Sequence, residues 1–466
     1  MEDTMTAQPQ AATIGNVLQA LFGAPYLTRL GELANGSRLG RRRIHPPWML
    51  FAYGALARHF RSANHTDAEL ASGLWPRLRT AATEAGLDDP GAKPYAFEHY
   101  TYQRDRLIKD DERRELLLTE FTAIAVSHAR RLGLLKPKGP GSLTYPHPTR
   151  TIYGDGTIVR PLYRPPRPHD YITDPDTGKE IPRYLNTTTG EVSTTPTVRH
   201  DPSAADHGRH DGIVNGNDFV LFSTRDERPG TRVILGIERV PRPNQEADTA
   251  VQLIQRIHQQ AVGGIQAVVY DGAFQGTHID RIMRSTGLIV VNKLAAATRT
   301  PDGQATPKRR PLGTHTHTTK GRDCTHTLHL VNGTVVDVAL ADDGTPVDIA
   351  TATRKQVKRA TRKDGTYRYN LAVTLPCGKD EILLWLSPHD NPEHIRLVPP
   401  DDPYFPTLYA LRNDAESLNS QYKRTLLVDR AASIGWQRQL FDIVAYATLH
   451  NSLNWNGVQD RSRRVA

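Results

Sequence analysis

Ile265-Gln-Ala-Val-Val-Tyr270-Asp271-Gly272 is the stretch on which the fold turns. A mostly apolar run too short for a helix, closed by an aspartate and a glycine, reads as a strand buried on both faces. Upstream, Phe219-Val-Leu-Phe222 and Val233-Ile-Leu-Gly-Ile237 read as two strands, and Asp226-Glu-Arg-Pro-Gly230 between them suits a hairpin turn. Between hairpin and strand, Ala250, Ile254 and Ile257 recur at helical spacing, with Asn244 as the expected N-cap and Gly263-Gly264 as the stop. Thr151-Ile-Tyr-Gly-Asp155-Gly156 reads as a further strand ending in an acidic residue, and residues 287 to 293 as one more. This predicts an α/β fold in which a mixed sheet is covered by helices. Functional groups in such sheets gather at the carboxyl ends of strands, which singles out Asp155 and Asp271. Aspartate before glycine is also ordinary turn chemistry, so the local sequence leaves both readings open.

The flanks divide by composition. Residues 1 to 142 read as helical, with apolar periodicity at 14–22, 48–60 and 116–132, and a linker at Lys136-Pro-Lys-Gly-Pro-Gly141. Arg38, Arg41, Arg42 and Arg43 form a basic run there that suits either phosphate contact or a solvated loop. Residues 143–293 form the first part of the expected core. Within it, 161–211 is rich in Pro, Thr and Asp and reads as a mobile flap. Residues 294–400 read as an inserted β-rich domain, with strands at 335–339, 367–373 and 382–385. Residues 401–455 return to the core and end in an apolar helix over 441–453; a basic tail, 456–466, carries Arg461-Ser-Arg-Arg464.

The chain has 466 residues, with 59 Lys plus Arg against 50 Asp plus Glu, a formal charge of +9. Its pI near 9.4 suits a polyanionic partner. The two cysteines, Cys324 and Cys377, argue for a reducing compartment and against a disulfide framework. The start, Met1-Glu-Asp-Thr-Met-Thr-Ala-Gln, lacks the apolar run of a secretory signal. Trp48-Met-Leu-Phe-Ala-Tyr-Gly-Ala-Leu-Ala57 is about half the length of a membrane span. A cytoplasmic, nucleoid-associated protein with no membrane role is expected.

Near the C-terminus, Tyr409-Ala-Leu-Arg412-Asn-Asp-Ala-Glu416-Ser-Leu-Asn-Ser-Gln-Tyr-Lys423 places Tyr409, Arg412, Glu416 and Lys423 within an arc of about 60° on one predicted helix. Leu408, Leu411, Ala415, Leu418, Tyr422 and Leu426 cluster beside that arc, so the polar stripe borders a buried face. An Arg412–Glu416 pair at this spacing is otherwise a modest solvated ion pair. Together, Asp155, Asp271 and Glu416 make an all-oxygen set suited to Mg²⁺ or Mn²⁺, and two such ions activate the attacking oxygen and stabilise the leaving one in phosphodiester chemistry. More than a hundred residues separate each acid from the next, so only tertiary folding can unite them.

The spacing Tyr, two residues, Arg, three residues, Glu, six residues, Lys resembles the signature of bacterial insertion-sequence DDE transposases, as do Tyr-Gly-Asp155-Gly and Tyr-Asp271-Gly-Ala-Phe. The similarity in layout covers about residues 150 to 455, to the subgroup with a β-rich insertion. It implies a ribonuclease-H-like fold and metal-dependent cleavage at transposon ends, with Asp155, Asp271 and Glu416 holding two ions and strand transfer into target DNA. It also implies double-stranded DNA as partner, a homodimer or higher synaptic assembly, and phosphate contacts from Tyr409, Arg412 and Lys423. Trp385, the insertion's tryptophan, becomes a candidate for stacking on a flipped base, although a strand tryptophan also suits a core. The alternatives are a metal-dependent DNA nuclease of the same fold without strand transfer, and a non-catalytic DNA-binding descendant.

Two further clusters stand out. Arg354, Lys355, Lys358, Arg359, Arg362 and Lys363 lie in one short basic stretch, a DNA-binding face or a solubilising hairpin, which Lys308-Arg-Arg310 extends. His315, His317, Cys324, His326 and His329 invite a zinc reading, yet their irregular spacing fits no familiar zinc module, and one polar strand face gives the same alternation.

Overall fold

The computed structural model describes residues 13–34, 44–163, 165–196, 198–209, 212–228, 230–294, 298–299, 305–306 and 309–455. Arg38, Arg41, Arg42, Arg43, Lys308 and the basic tail lie outside the described residues. The chain opens with helices α1 (Ile14–Gly23), α2 (Tyr26–Leu33), α3 (Met49–His59), α4 (Ala63–Glu69), α5 (Trp75–Glu84), α6 (Phe97–Ile108) and α7 (Asp111–Arg131). Strand β1 (Thr151–Val159) begins the main sheet. There follow β2 (Asp170–Thr173), β3 (Glu180–Leu185), β4 (Val192–Ser193), β5 (Ala205–Arg209), β6 (Gly212–Thr224) and β7 (Val233–Arg239). Next come α8 (Glu246–Ala261), β8 (Ala267–Val269), α9 (Gly276–Thr286) and β9 (Ile289–Val291).

The main sheet runs β7-β6-β1-β8-β9, with β5 beside the first part of β6. β6 is antiparallel to β1 and β7, whereas β1, β8 and β9 are mutually parallel. Burial on both faces explains the apolar runs: Ala267, Val268 and Val269 are each 0 % exposed. The short β10 (Thr298–Arg299) and β11 (Ala305–Thr306) pair with each other. Beyond them, β12 (Arg309–Thr319), β13 (Arg322–Val331), β14 (Thr334–Leu340) and β15 (Pro346–Thr351) form one antiparallel sheet, and β16 (Thr353–Thr361), β17 (Tyr367–Cys377) and β18 (Asp380–Leu386) another. The described residues between Thr298 and Leu386 are thus mostly strand. The chain closes with α10 (Phe405–Tyr409), α11 (Leu411–Lys423) and α12 (Trp436–Leu453).

α7, α8 and α12 pack on β7, α11 packs on β1, and α3 packs on α12. Gly54 permits that last contact, because a Cβ there would stand 3.0 Å from the Ala445 Cβ. One continuous apolar core therefore runs from the N-terminal helices through the sheet to α12. Among the described residues no helix is long and apolar enough to cross a membrane.

Several expectations change. The stretch from Tyr409 to Lys423 is two helices, with Ala410 between them, and not one. Asp155 lies inside β1, which continues to Val159, and does not end it. Asn244 does not cap α8: it adopts a left-handed φ of 66° and the helix starts two residues later. The segment 161–211 is not wholly an excursion, since β5 pairs with β6 and Asp201 accepts hydrogen bonds from Gln439 Nε2 at 2.8 Å and the Gly435 amide at 3.0 Å. Its remainder carries the small antiparallel sheet β2-β3-β4.

Candidate active site

β1 and β8 pair in parallel through Thr151↔Ala267, Ile152↔Val268 and Tyr153↔Val269. Asp155 and Asp271 each lie two residues past that last pair, so shared register brings two sequence-distant acids to one place. β8 ends there while β1 continues against β6, so both acids stand at the carboxyl end of the parallel pair. The glycines flanking Asp155 serve close approach, not a turn. A Cβ on Gly154 would meet the Phe222 ring at 2.6–2.7 Å, and one on Gly156 would lie 2.5–2.6 Å from both Glu246 carboxylate oxygens. Asp271 does make turn chemistry as well: its Oδ1 accepts the Ala273 amide at 2.9 Å.

α11 supplies the third acid. Its buried residues Leu411, Ala415, Leu418 and Tyr422 seat it on the sheet, as the apolar spacing predicts. Asp414 fixes its rotation through ion pairs with Arg225 at 2.9 Å and Arg232 at 3.0 Å, from either end of the β6–β7 turn. Arg412 then joins two of the acids: Nη1 pairs with Glu416, and Nη2 stands 4.0 Å from Asp155 Oδ1. One turn further on, buried Asn419 donates to Asp155 Oδ2 at 3.0 Å and to the Gly156 carbonyl at 3.3 Å. Glu416 is half exposed and Asp155 largely buried.

Burial pushes the Asp155 carboxyl up to about 7, against the pull of Arg412, and the negative charges of Asp271 and Glu246 add to the rise. Arg412 is held above its ordinary value by Asp155 and Glu416 despite its own burial. Burial raises Tyr409 too, with Asp271, Glu416 and Asp155 contributing through their charge. These mutual effects place Asp155, Asp271, Glu416, Arg412 and Tyr409 in one neighbourhood. Their carboxylates are not drawn into a tight cage, however. Among the described residues, the group offering three donor atoms all within 4.8 Å of one another is His317, Cys324 and Cys377.

No protein-family model, curated protein or solved structure matches this chain. What the site can do must therefore be read from its own residues.

Four contributors escaped the sequence reading. Glu246, at the first turn of α8, brings a fourth carboxylate beside Asp155, and its Oε1 accepts the Tyr270 hydroxyl at 2.8 Å. Tyr270 in turn stacks between Phe222 and Phe274, with centroids at 5.7 Å and 4.3 Å, an aromatic wall behind the acids. Lys293, just past β9, sets its Nζ 5.2 Å from the Tyr409 ring centroid, which adds a cation at the rim. The fourth is Asn419, which shares the helix face of Arg412 and Glu416 and bonds Asp155.

The basic stretch of the insertion splits. Lys355, Lys358, Arg362 and Lys363 are exposed, but Arg354 is buried and paired with Asp402, its Nη2 donating at 3.1 Å. Arg354 is therefore no part of an exposed binding face. Arg359 donates to the Gly287 carbonyl and lies over the Tyr367 ring at 4.9 Å. Trp385 is 47 % exposed and not a core residue, with Lys358 Nζ 4.7 Å from its ring centroid.

Proposed function

We propose that this chain is a divalent-metal-dependent DNA strand-cleaving and strand-transferring enzyme of the DDE transposase kind. The observation that carries the reading is the placement of Asp155 and Asp271 at matched positions past the β1/β8 register, with helix-borne Glu416 tied to Asp155 through Arg412. The strand order β7-β6-β1-β8-β9, with β6 antiparallel and an acid-bearing helix against β1, supports a ribonuclease-H-like core.

The donor set fits Mg²⁺ or Mn²⁺. All three acids offer hard oxygen, and the upward push on Asp155, mainly from burial and in part from the Asp271 and Glu246 charges, is one that a nearby cation offsets. Asp155, Asp271 and Glu416 would hold the ions, which when bound supply water activation and charge neutralisation at the scissile phosphate. The remaining roles belong to the chain. Arg412 and Lys423 offer cations to DNA phosphates, and Arg412 exchanges part of its pairing with Glu416 for phosphate oxygen. Asn419 keeps the Asp155 carboxylate in one orientation. Exposed Lys355, Lys358, Arg362, Lys363 and Trp385 present a basic, aromatic face suited to the DNA backbone and an unstacked base.

The test incubates the purified chain with labelled duplexes taken from the DNA flanking its reading frame, in Mg²⁺ or Mn²⁺. Cleaved ends and joined products are expected, with Asp155→Ala, Asp271→Ala and Glu416→Ala each lowering the rate at least about a hundredfold. Cleavage without joining would favour a nuclease. Unchanged cleavage in any of the three variants would remove that residue from the site.

A further inference from the structure

The β-rich segment holds a second cluster that the acidic site does not use. β12 and β13 form a hairpin in which His317 faces Cys324 and His315 faces His326 across the ladder. Cys377, the last residue of β17, comes from the other sheet, and its thiol meets that pair. Donor atoms of His317, Cys324 and Cys377 all lie within 4.8 Å of one another. Neither ring nitrogen of His317 reaches solvent or has a hydrogen-bond partner among the described residues. A neutral imidazole so placed leaves both a donor and an acceptor unsatisfied, a costly arrangement without a ligand.

His326 adds an independent observation. It is 7 % exposed, its ring stacks on His317 at 5.3 Å, and its Nδ1 bonds Asp337 Oδ2 at 2.7 Å. Its Nε2 is shielded and has no hydrogen-bond partner. A carboxylate that fixes one nitrogen of a histidine and leaves the other bare is the arrangement that orients imidazole toward a metal.

We propose that Cys324, Cys377, His317 and His326 form a structural zinc site that ties the sheet β12-β13-β14-β15 to the sheet β16-β17-β18. Two soft thiolates and two imidazoles select Zn²⁺ over the hard cations suited to the acidic site. Tetrahedral zinc sets its donors about 3.4–3.8 Å apart, so the three mutually close donors need shift by at most about 1 Å, and His326, outside that group, closes in as the fourth. Loading releases the two thiol protons to solvent and changes no oxidation state. The spacing in sequence hid the site because one thiolate arrives from a different sheet.

The test uses the full chain, made in zinc-containing medium, reduced, and dialysed against metal-free buffer. Elemental analysis is expected to find about one zinc per chain, falling below about a tenth in Cys324→Ser and in Cys377→Ser. His326→Ala should weaken zinc binding by about ten- to a hundredfold, whereas His315→Ala should leave it unchanged. Cobalt in place of zinc should give thiolate-to-metal charge-transfer absorption with the strong visible bands of a four-coordinate ion. The wild-type metal content and cobalt spectrum decide the matter even where a variant fails to fold. Sub-stoichiometric zinc after reduction and reconstitution would overturn the proposal, as would a Cys324–Cys377 disulfide in protein taken from a reducing cytoplasm.

Discussion

At the scale of single residues, Asp155 is the carboxyl whose environment is most at odds with its ordinary chemistry. Its carboxyl rises from 3.8 to about 7 in the folded chain, mainly because it is buried. The native protein therefore binds that proton more tightly than the unfolded one does. The resulting stabilisation is fully present below about pH 4 and is lost as pH rises through about 7. In metal-free buffer, denaturant titrations should show wild-type stability falling between pH 5 and pH 8 by about 2.5 kcal/mol relative to Asp155→Asn, which has no such proton to lose. Parallel profiles for the two proteins would show that burial does not perturb this carboxyl. Asn419 was illegible beforehand for a related reason. Nothing in its local sequence separates an asparagine that grips a distant strand from one that faces water, and only the placement of α11 on β1 decides it.

At the scale of elements, α11 works through two adjoining faces of one cylinder. Its apolar face was readable from spacing alone, because helical periodicity is intrinsic to the chain. The break at Ala410 was not, since its residues have helix-compatible propensities on both sides. Asn419→Ala should cost about 1–3 kcal/mol in chemical denaturation, because two buried acceptors lose their donor. Ser420→Ala, on the exposed side of the same helix, should stay within about 0.5 kcal/mol of wild type. Equal effects from both would mean that α11 is not held through Asn419. Strands β1, β6, β7, β8 and β9 were legible through their apolar runs, whereas β5, Ala205–Arg209, is polar and was not. α9 was missed because Gly276–Thr286 follows turn chemistry and offers few apolar positions, among them Ile279, Ile282 and Met283.

At the scale of the whole molecule, Asn451 fastens three regions. It is 0 % exposed, donates to the Tyr26 hydroxyl at 3.1 Å and the Ile234 carbonyl at 2.9 Å, and accepts the Ile234 amide at 2.9 Å. One side chain on α12 thus joins α2 and β7, more than two hundred residues away from either. Asn451→Ala should lower stability by about 2–4 kcal/mol, yet leave one transition in which circular dichroism and tryptophan fluorescence coincide, since the core is continuous. Separate transitions for the N-terminal helices and the sheet would contradict that continuity. Such long-range fastening leaves no trace in local sequence, as does the meeting of Cys377 with Cys324.

The matched positions of Asp155 and Asp271 also constrain how such a chain can change length over evolutionary time. Inserting or deleting one residue within 151–153 or 267–269 turns the carboxyl downstream to the opposite side of its strand, so indels there abolish the pairing of the acids. The same change in the connections at 226–231 or 342–345 leaves both acids in place. Length variation among descendants should therefore concentrate in those surface connections, and the short paired segments should keep their count while their apolar residues interchange.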